Sequence, residues 1–142
     1  MKHAIGLLMA ALVAGYSLQC EADCLDDAAA YQGINVQLVR VIAQQESTMR
    51  ADAVHVNTDG SEDIGLMQVN SRELPRLARY GITRQHLFDR CINAYVGTWI
   101  LASKIRRFGR TWKAVGAYNA SSPEKQLAYA IAIRRRLQRA GN

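Results

Sequence analysis

Residues 35–47 read NVQLVRVIAQQES. Asn35, ahead of the first apolar residue, is an N-cap signal, because its side-chain oxygen can accept the free amides of a first helical turn. The spacing predicts a helix over 36–47. At about 100° per residue, with Leu38 at 0°, Ile42 falls near 40°, Glu46 near 80°, Val39 near 100° and Ala43 near 140°. A carboxylate therefore stands in the middle of the apolar arc. A lone ionised carboxylate is so costly to bury that the group tends to hold its proton. An acid still protonated near neutral pH is what general-acid cleavage of a glycosidic bond requires. The plainer alternative is a glutamate at a fraying helix end, turned to water or paired with Arg50 four residues on.

Outward from this helix the chain reads as mostly helical. CLDDAAAYQ, residues 24–32, is a short helix closed by Gly33. Residues 50–63 form a polar loop with Asn57 to Gly60 as a turn, the tip of a small hairpin. After IGLMQVNS a short helix carries Pro75 near its first turn and Gly81 at its end. Asp89 starts the longest helix, which runs through Ile92, Val96, Trp99 and Ile100 to Gly109. Thr111 caps WKAVGAYN, and SSPE opens a last helix through Leu127 and Ile131. Alternation with a period of two is nearly absent, so any sheet is small. The expectation is a mainly α (α+β) domain in which helices are joined by one hairpin or loop wall. At 142 residues, 49% of them hydrophobic, and with no internal repeat, the chain fits one domain with a core of its own.

The first 22 residues read as an export signal: a positive start in MKH, an apolar run too short to span a bilayer, and small residues up to Ala22. The mature domain is then 23–142, with a rival cut after Ser17. Gln19 is too bulky for the position before a lipidated cysteine at Cys20. Cleavage removes Cys20 and leaves Cys24 and Cys91, an even pair in an oxidising compartment, where a structural disulfide forms. Bridging them would contribute roughly 4 kcal/mol on the chain-entropy account. Two free buried thiols are the alternative. No metal motif is present: there is no CxxC and no HExxH, and the three histidines are scattered. HVNTDG echoes a calcium loop, but His55 in its first ligand position and Leu66 in its twelfth exclude that reading.

The net charge is +6, and removing residues 1–22 leaves 17 basic against 11 acidic side chains, still +6. Such a surface suits a polyanion, whether nucleic acid, anionic lipid or acidic glycan. Export argues against nucleic acid, and in the periplasm the peptidoglycan wall is the anionic polymer at hand. Arg134, Arg135 and Arg136 form a candidate binding patch, or else a solvated helix end favourable to the dipole.

Four stretches share one order and rough spacing: ES at 46–47, DIGLMQVNS at 63–71, AYN at 117–119, and Tyr129 in the last helix. In this the chain resembles the lytic transglycosylase domain. It is most similar to the small secreted transglycosylases that accompany type III and type IV secretion, conjugation and pilus systems, over essentially residues 24–138. The resemblance implies a lysozyme-like fold, helices around a substrate cleft with a small hairpin as one wall. It implies Glu46 as the catalytic acid, with Ser47 orienting a carboxylate oxygen or touching the sugar. Gln68 would hydrogen-bond the substrate's N-acetyl or hydroxyl groups, and Gly65 would let the backbone approach the glycan. Met67 would face the cleft, though as an apolar residue beside Leu66 it fits a core equally. Tyr118 and Asn119 would approach from the opposite wall and Tyr129 from the final helix.

The chain departs from the family pattern where Ala120 is followed by Ser121 rather than glycine. Asp63 or Asp59 could serve as a second carboxylate, as in true lysozymes; the plainer reading makes both of them turn formers. The implied substrate is the peptidoglycan glycan strand, cut between N-acetylmuramic acid and N-acetylglucosamine with closure of a 1,6-anhydro ring. A water-using muramidase and a non-catalytic wall-binding assembly protein are the alternatives. No metal or organic cofactor is implied. The protein is expected to be a periplasmic monomer, to serve an envelope-spanning machine, and to meet a membrane only through its export signal.

Overall fold

The computed structural model describes residues 23–141, so the expected export signal and Cys20 lie outside the described residues. Helix α1 spans Cys24–Gln32 and begins where Asp23 accepts the Leu25 amide at 3.1 Å. Asp26 and Asp27 in its first turn complement the positive end of its dipole. It stops at Gly33, whose φ of 64° lets its amide turn back to the carbonyls of Ala29 and Ala30. Helix α2 spans Val36–Ser47 and is capped by Asn35, which accepts from the amides of Gln37 at 2.8 Å and Leu38 at 3.3 Å. Arg40 reaches back to Asp23 and Asp26, 2.7 Å from each, and pins the two helices together.

Three short strands follow, β1 at Val54–Val56, β2 at Glu62–Ile64 and β3 at Val69–Asn70, antiparallel in that order. Sequence reasoning gave a hairpin. The third strand escaped it because two residues carry no readable alternation. The register sets His55 and Asn70 on either side of Asp63, and Val54 and Val69 on either side of the buried Ile64. Asp63 thus faces one side of the sheet and Ile64 the other. A 3-10 turn at Ser71–Glu73 leads into α3, Leu74–Leu77, and a further turn ends at Gly81.

Helix α4, Arg90–Phe108, is the central rod, and Asp89 caps it by accepting the Ile92 amide. A disulfide joins Cys24 to Cys91, fastening the first turns of α1 and α4. Helix α5, Trp112–Asn119, is capped by Thr111; α6, Pro123–Ala140, is capped by Ser122 with proline in its first turn. One core fills the space among α1, α2, α4, α5 and α6, built on Leu25, Ile42, Leu101 and Ile133, with Leu66 and Met67 inserted from the β2–β3 connection. A second lies under the sheet, formed by Ile64, Val69, Leu77, Leu87, Val96 and Ile100. Among the described residues no helix is long and apolar enough to cross a membrane.

Candidate active site

The last turn of α2 delivers Glu46 into a groove between the sheet and the α5–α6 corner. The groove has two lobes that share Glu46, Asn57, Asp63, Gln68 and Asn119 as lining. One lobe, about 460 Å³, runs on past Asp59, Arg72 and Lys104. The other, about 560 Å³, runs past His55, Ser121 and Lys125. Glu46 therefore sits where a polymer threaded through both lobes would be cut in its middle.

Burial dominates the carboxyl's chemistry. It pushes Glu46 from an ordinary 4.5 up to about 7, against the opposing pull of a hydrogen bond from Tyr129, with the charge of Asp63 adding to the rise and the Asn119 amide pulling it down. The Tyr129 hydroxyl donates to Glu46 Oε1 from the buried face of α6. Burial, and then the charge of Glu46, raise the tyrosine itself, which remains a neutral donor. Arg50 lies 3.9 Å from Asp52, and both are exposed, so the pairing with Glu46 that the helix alone allowed is not made. A half-buried acid near neutrality can give a proton and take one back.

The segment after β2 is held by an unexpected residue. Asn93, fully buried on α4, accepts from the Met67 amide at 2.7 Å and donates to the carbonyls of Ile64 and Leu87, both at 2.8 Å. Gly65, at φ 77°, presses against this bracket; a Cβ there would collide with the Asn93 amide and the Leu87 carbonyl. Its close approach is thus to its own chain rather than to a glycan. Met67 is fully buried and packs against Gly97, so it belongs to the core and not to the cleft surface. Its carbonyl accepts from the Tyr118 hydroxyl at 2.6 Å, which commits that hydroxyl to the frame while the residue still lines the cleft. The Ser47 hydroxyl donates toward the carbonyls of Leu66 at 2.7 Å and Ala43 at 3.2 Å and accepts the Arg50 amide. It splints α2 to the β2–β3 connection instead of reaching a sugar.

Gln68 does line both lobes. Its backbone takes φ 52°, a left-handed value unusual for a residue with a Cβ. The Nε2 group donates to Gly65 at 3.0 Å and Ala53 at 3.2 Å, which fixes the amide and leaves its oxygen as an acceptor for a ligand. Asp63 is a strand residue rather than a turn former: it accepts from Asn57 at 2.9 Å and Asn70 at 2.7 Å, and both asparagines also donate to Ser61. Asp59 lies in the turn, accepts the Ser61 amide and pairs with Arg72 at 2.5 Å. Among the described residues no three His, Cys, Asp or Glu side chains gather into a metal-binding group.

Asn57, Asn70 and Asn93 were absent from the sequence-derived site. Asn93 could have been found: with Val96 and Ile100 it falls on the apolar stripe of its helix, the anomaly that exposed Glu46. The two other asparagines carry no periodic signal, because they meet only through strand register.

Comparison with known proteins converges on one family. Residues 23–134 match the transglycosylase SLT domain. The invasion protein IagB of Salmonella typhimurium is 44% identical over 106 residues, 74% of this chain and 66% of that protein, so the match spans slightly under two thirds of the relative's length. The X polypeptide of Escherichia coli is 41% identical over 124 residues, 82% of this chain and 73% of that protein. Protein IpgF of Shigella flexneri is 39% identical over 123 residues, 83% and 81% of the two chains. Among solved structures, an inactive mutant of the lytic transglycosylase Slt from Pseudomonas aeruginosa superposes with a TM-score of 0.67 over 83% of this chain and 23% of that one, at 20% identity. That likeness establishes the lysozyme-like fold.

Proposed function

The chain belongs to the transglycosylase SLT domain family, and from that premise we propose that it is a peptidoglycan lytic transglycosylase with Glu46 as its only obligatory catalytic residue. The observation that carries this is the placement of a carboxyl with a pKa of about 7 at the junction of the two cleft lobes. Protonated Glu46 gives its proton to the oxygen linking N-acetylmuramic acid to N-acetylglucosamine, while the muramoyl ring flattens toward an oxocarbenium ion. The carboxylate then takes the proton of the same sugar's C6 hydroxyl, whose oxygen attacks the anomeric carbon and closes a 1,6-anhydro ring. The nucleophile is already tethered to the reacting centre, which is why one carboxyl can suffice.

Tyr129 orients the carboxyl, Asn119 steadies its ionised form, and the Gln68 amide oxygen accepts from the acetamido N–H or a hydroxyl. Neither proton transfer calls for a metal or organic cofactor. We further propose that the protein acts in the periplasm and opens the wall locally for an envelope-spanning machine, in keeping with the relative named an invasion protein. Asp63, lining both lobes beside Glu46, favours one rival, a muramidase that uses water. Mass spectrometry of muropeptides released from purified sacculi separates the two. Anhydro ends are expected to dominate, and reducing ends in their place would make the enzyme a hydrolase. Glu46→Gln should release neither, and continued digestion by that variant would end the catalytic reading.

A further inference from the structure

Charge is divided unevenly along the chain. Residues 23–100 carry seven lysines and arginines against ten carboxylates, whereas positions 104–139 carry ten against Glu124 alone. None of those ten cations makes an ion pair among the described residues. The helix dipole accounts for Arg106 and Arg107 in the last turn of α4 and for Arg139 in the last turn of α6, but not for Lys104, Arg110, Lys113, Lys125, Arg134, Arg135 or Arg136. Arg107 and Lys113 converge on the Phe108 ring, 5.1 and 5.2 Å from its centroid, and so bring the end of α4 and the start of α5 into one field. Beside them lies exposed apolar surface, with Trp112 shared between two shallow grooves of about 300 and 340 Å³ and with Leu127 and Ile131 open on α6. This surface is continuous with the cleft. Ser121 and Lys125 line the far lobe, while Pro123, Gln126 and Leu127, interleaved with them at the start of α6, line the groove beneath Trp112.

We propose that the outward surface of α4's end, α5's start and α6 is a second binding site for the wall polymer, taking the carboxylate-bearing stem peptides of the strand that leaves the cleft. The inference rests on the wall-directed reading above. Each muramoyl residue bears a stem peptide with free carboxylates, so a strand passing over the surface sets a row of anions against a row of unpaired guanidinium groups, and the Trp112 ring offers a face to sugar or alanine. Continuity with the far lobe favours the polymer that occupies the cleft over a lipid surface, which would have no reason to share an edge with it. The cleft performs the cut and this surface keeps the enzyme on the strand.

The test uses the mature chain carrying Glu46→Gln, which binds without digesting, in co-sedimentation with purified sacculi. Adding Arg134→Gln, Arg135→Gln and Arg139→Gln should raise the half-saturating sacculus concentration about tenfold at low salt, the scale of three exposed ion pairs, with less difference at high salt. Arg107→Gln with Lys113→Gln, on different elements, should shift it in the same direction. Equal melting temperatures show that unfolding is not the cause. Sacculi stripped of stem peptides by an amidase should hold parent and variants equally. Unchanged retention, or a difference that survives stripping, overturns the proposal. So does retention on vesicles of anionic phospholipid with none on sacculi. With Glu46 restored, the triple variant should turn over short soluble glycan fragments at the parent's rate. If the parent itself fails on those fragments, the catalytic reading falls while the retention result still stands on its own.

Discussion

Two groups of motif residues meet at the end of α2, and they spend their polar atoms differently. Ser47, Gly65, Met67 and Tyr118 direct theirs at the chain itself, to Leu66, Ala53, Asn93 and Met67 respectively. Glu46, Asn119 and the Gln68 amide oxygen face the groove. A motif therefore marks both construction and chemistry, and residue type does not tell which. Energetics separate them. Changes in the first group should appear as lost stability, and changes in the second as lost rate with stability kept or gained.

The largest effect expected is that of Glu46→Gln. General-acid catalysis contributes roughly 10²–10⁴-fold, and loss of both proton transfers should lower sacculus digestion by about a thousandfold. Stability should move the other way. Folded Glu46 has its pKa raised from 4.5 to about 7, so the folded state binds the proton more tightly than the unfolded chain does. The stability this brings is fully present below about 4.5 and is lost as the pH rises through about 7. Melting curves across pH should show Glu46→Gln equal to the parent in acid and more stable above neutrality. A variant that is less stable at pH 8 would put Glu46 among the builders and break the division.

Asn93 tests the other side. Asn93→Ala would strand the buried Met67 amide and remove the donor to the carbonyls of Ile64 and Leu87. With a penalty of about 1–3 kcal/mol for a buried group left unmet, denaturant titration should show a loss of roughly 3 kcal/mol. The surviving folded fraction should bind glycan fragments with altered affinity while its pH profile stays in place.

The same division explains what the sequence could tell. All the long helices and their caps were legible, because Asn35, Asp89, Thr111 and Ser122 each state a boundary in one residue and the apolar spacing states the rest. Glu46 was legible as a charge on an apolar stripe. Met67 was not: its neighbours Leu66 and Gln68 face opposite environments, and only the left-handed φ values at Gly65 and Gln68 decide which side chain turns inward. The Asp63–Asn57–Asn70 cluster depends on strand register set by a turn several residues away, which no local pattern encodes.

Tyr129 lies between the two groups, since its hydroxyl bonds Glu46 yet its ring is core. Its hydrogen bond lowers the Glu46 pKa, so removing it by Tyr129→Phe should raise that pKa above about 7. The acid would then stay protonated to higher pH, and the alkaline limb of the pH–rate profile should move upward. The weaker acid would give its proton to the glycosidic oxygen less readily, and without the hydroxyl the carboxyl would be less firmly aimed, so maximal turnover should fall by about tenfold. A fall in turnover with no shift of the limb would place Tyr129 with the packed residues.

The smallest effect is expected directly beside the acid. Thr48 ends α2 at φ 54°, ψ 42°, and Met49 follows at φ 64°, two residues with side chains in the left-handed region. Thr48 is exposed, and its backbone amide turns back to the carbonyls of Ala43 and Gln44, an arrangement that glycine adopts without strain. Thr48→Gly should therefore stabilise the fold by about 0.5 kcal/mol, the relief of the Cβ clash less the entropy a glycine loses, and thermal melting can read a shift of that size. Gln68 has the same backbone at φ 52°, but there the side chain that causes the strain also presents an acceptor to the cleft. At Gln68 the amide's bonds to the Gly65 and Ala53 carbonyls hold the strained backbone, whereas at Thr48 nothing but the helix end holds it. Unchanged turnover in Thr48→Gly would confirm that contrast. A loss of turnover on relaxing the turn would mean that the tension behind Glu46 helps to aim it.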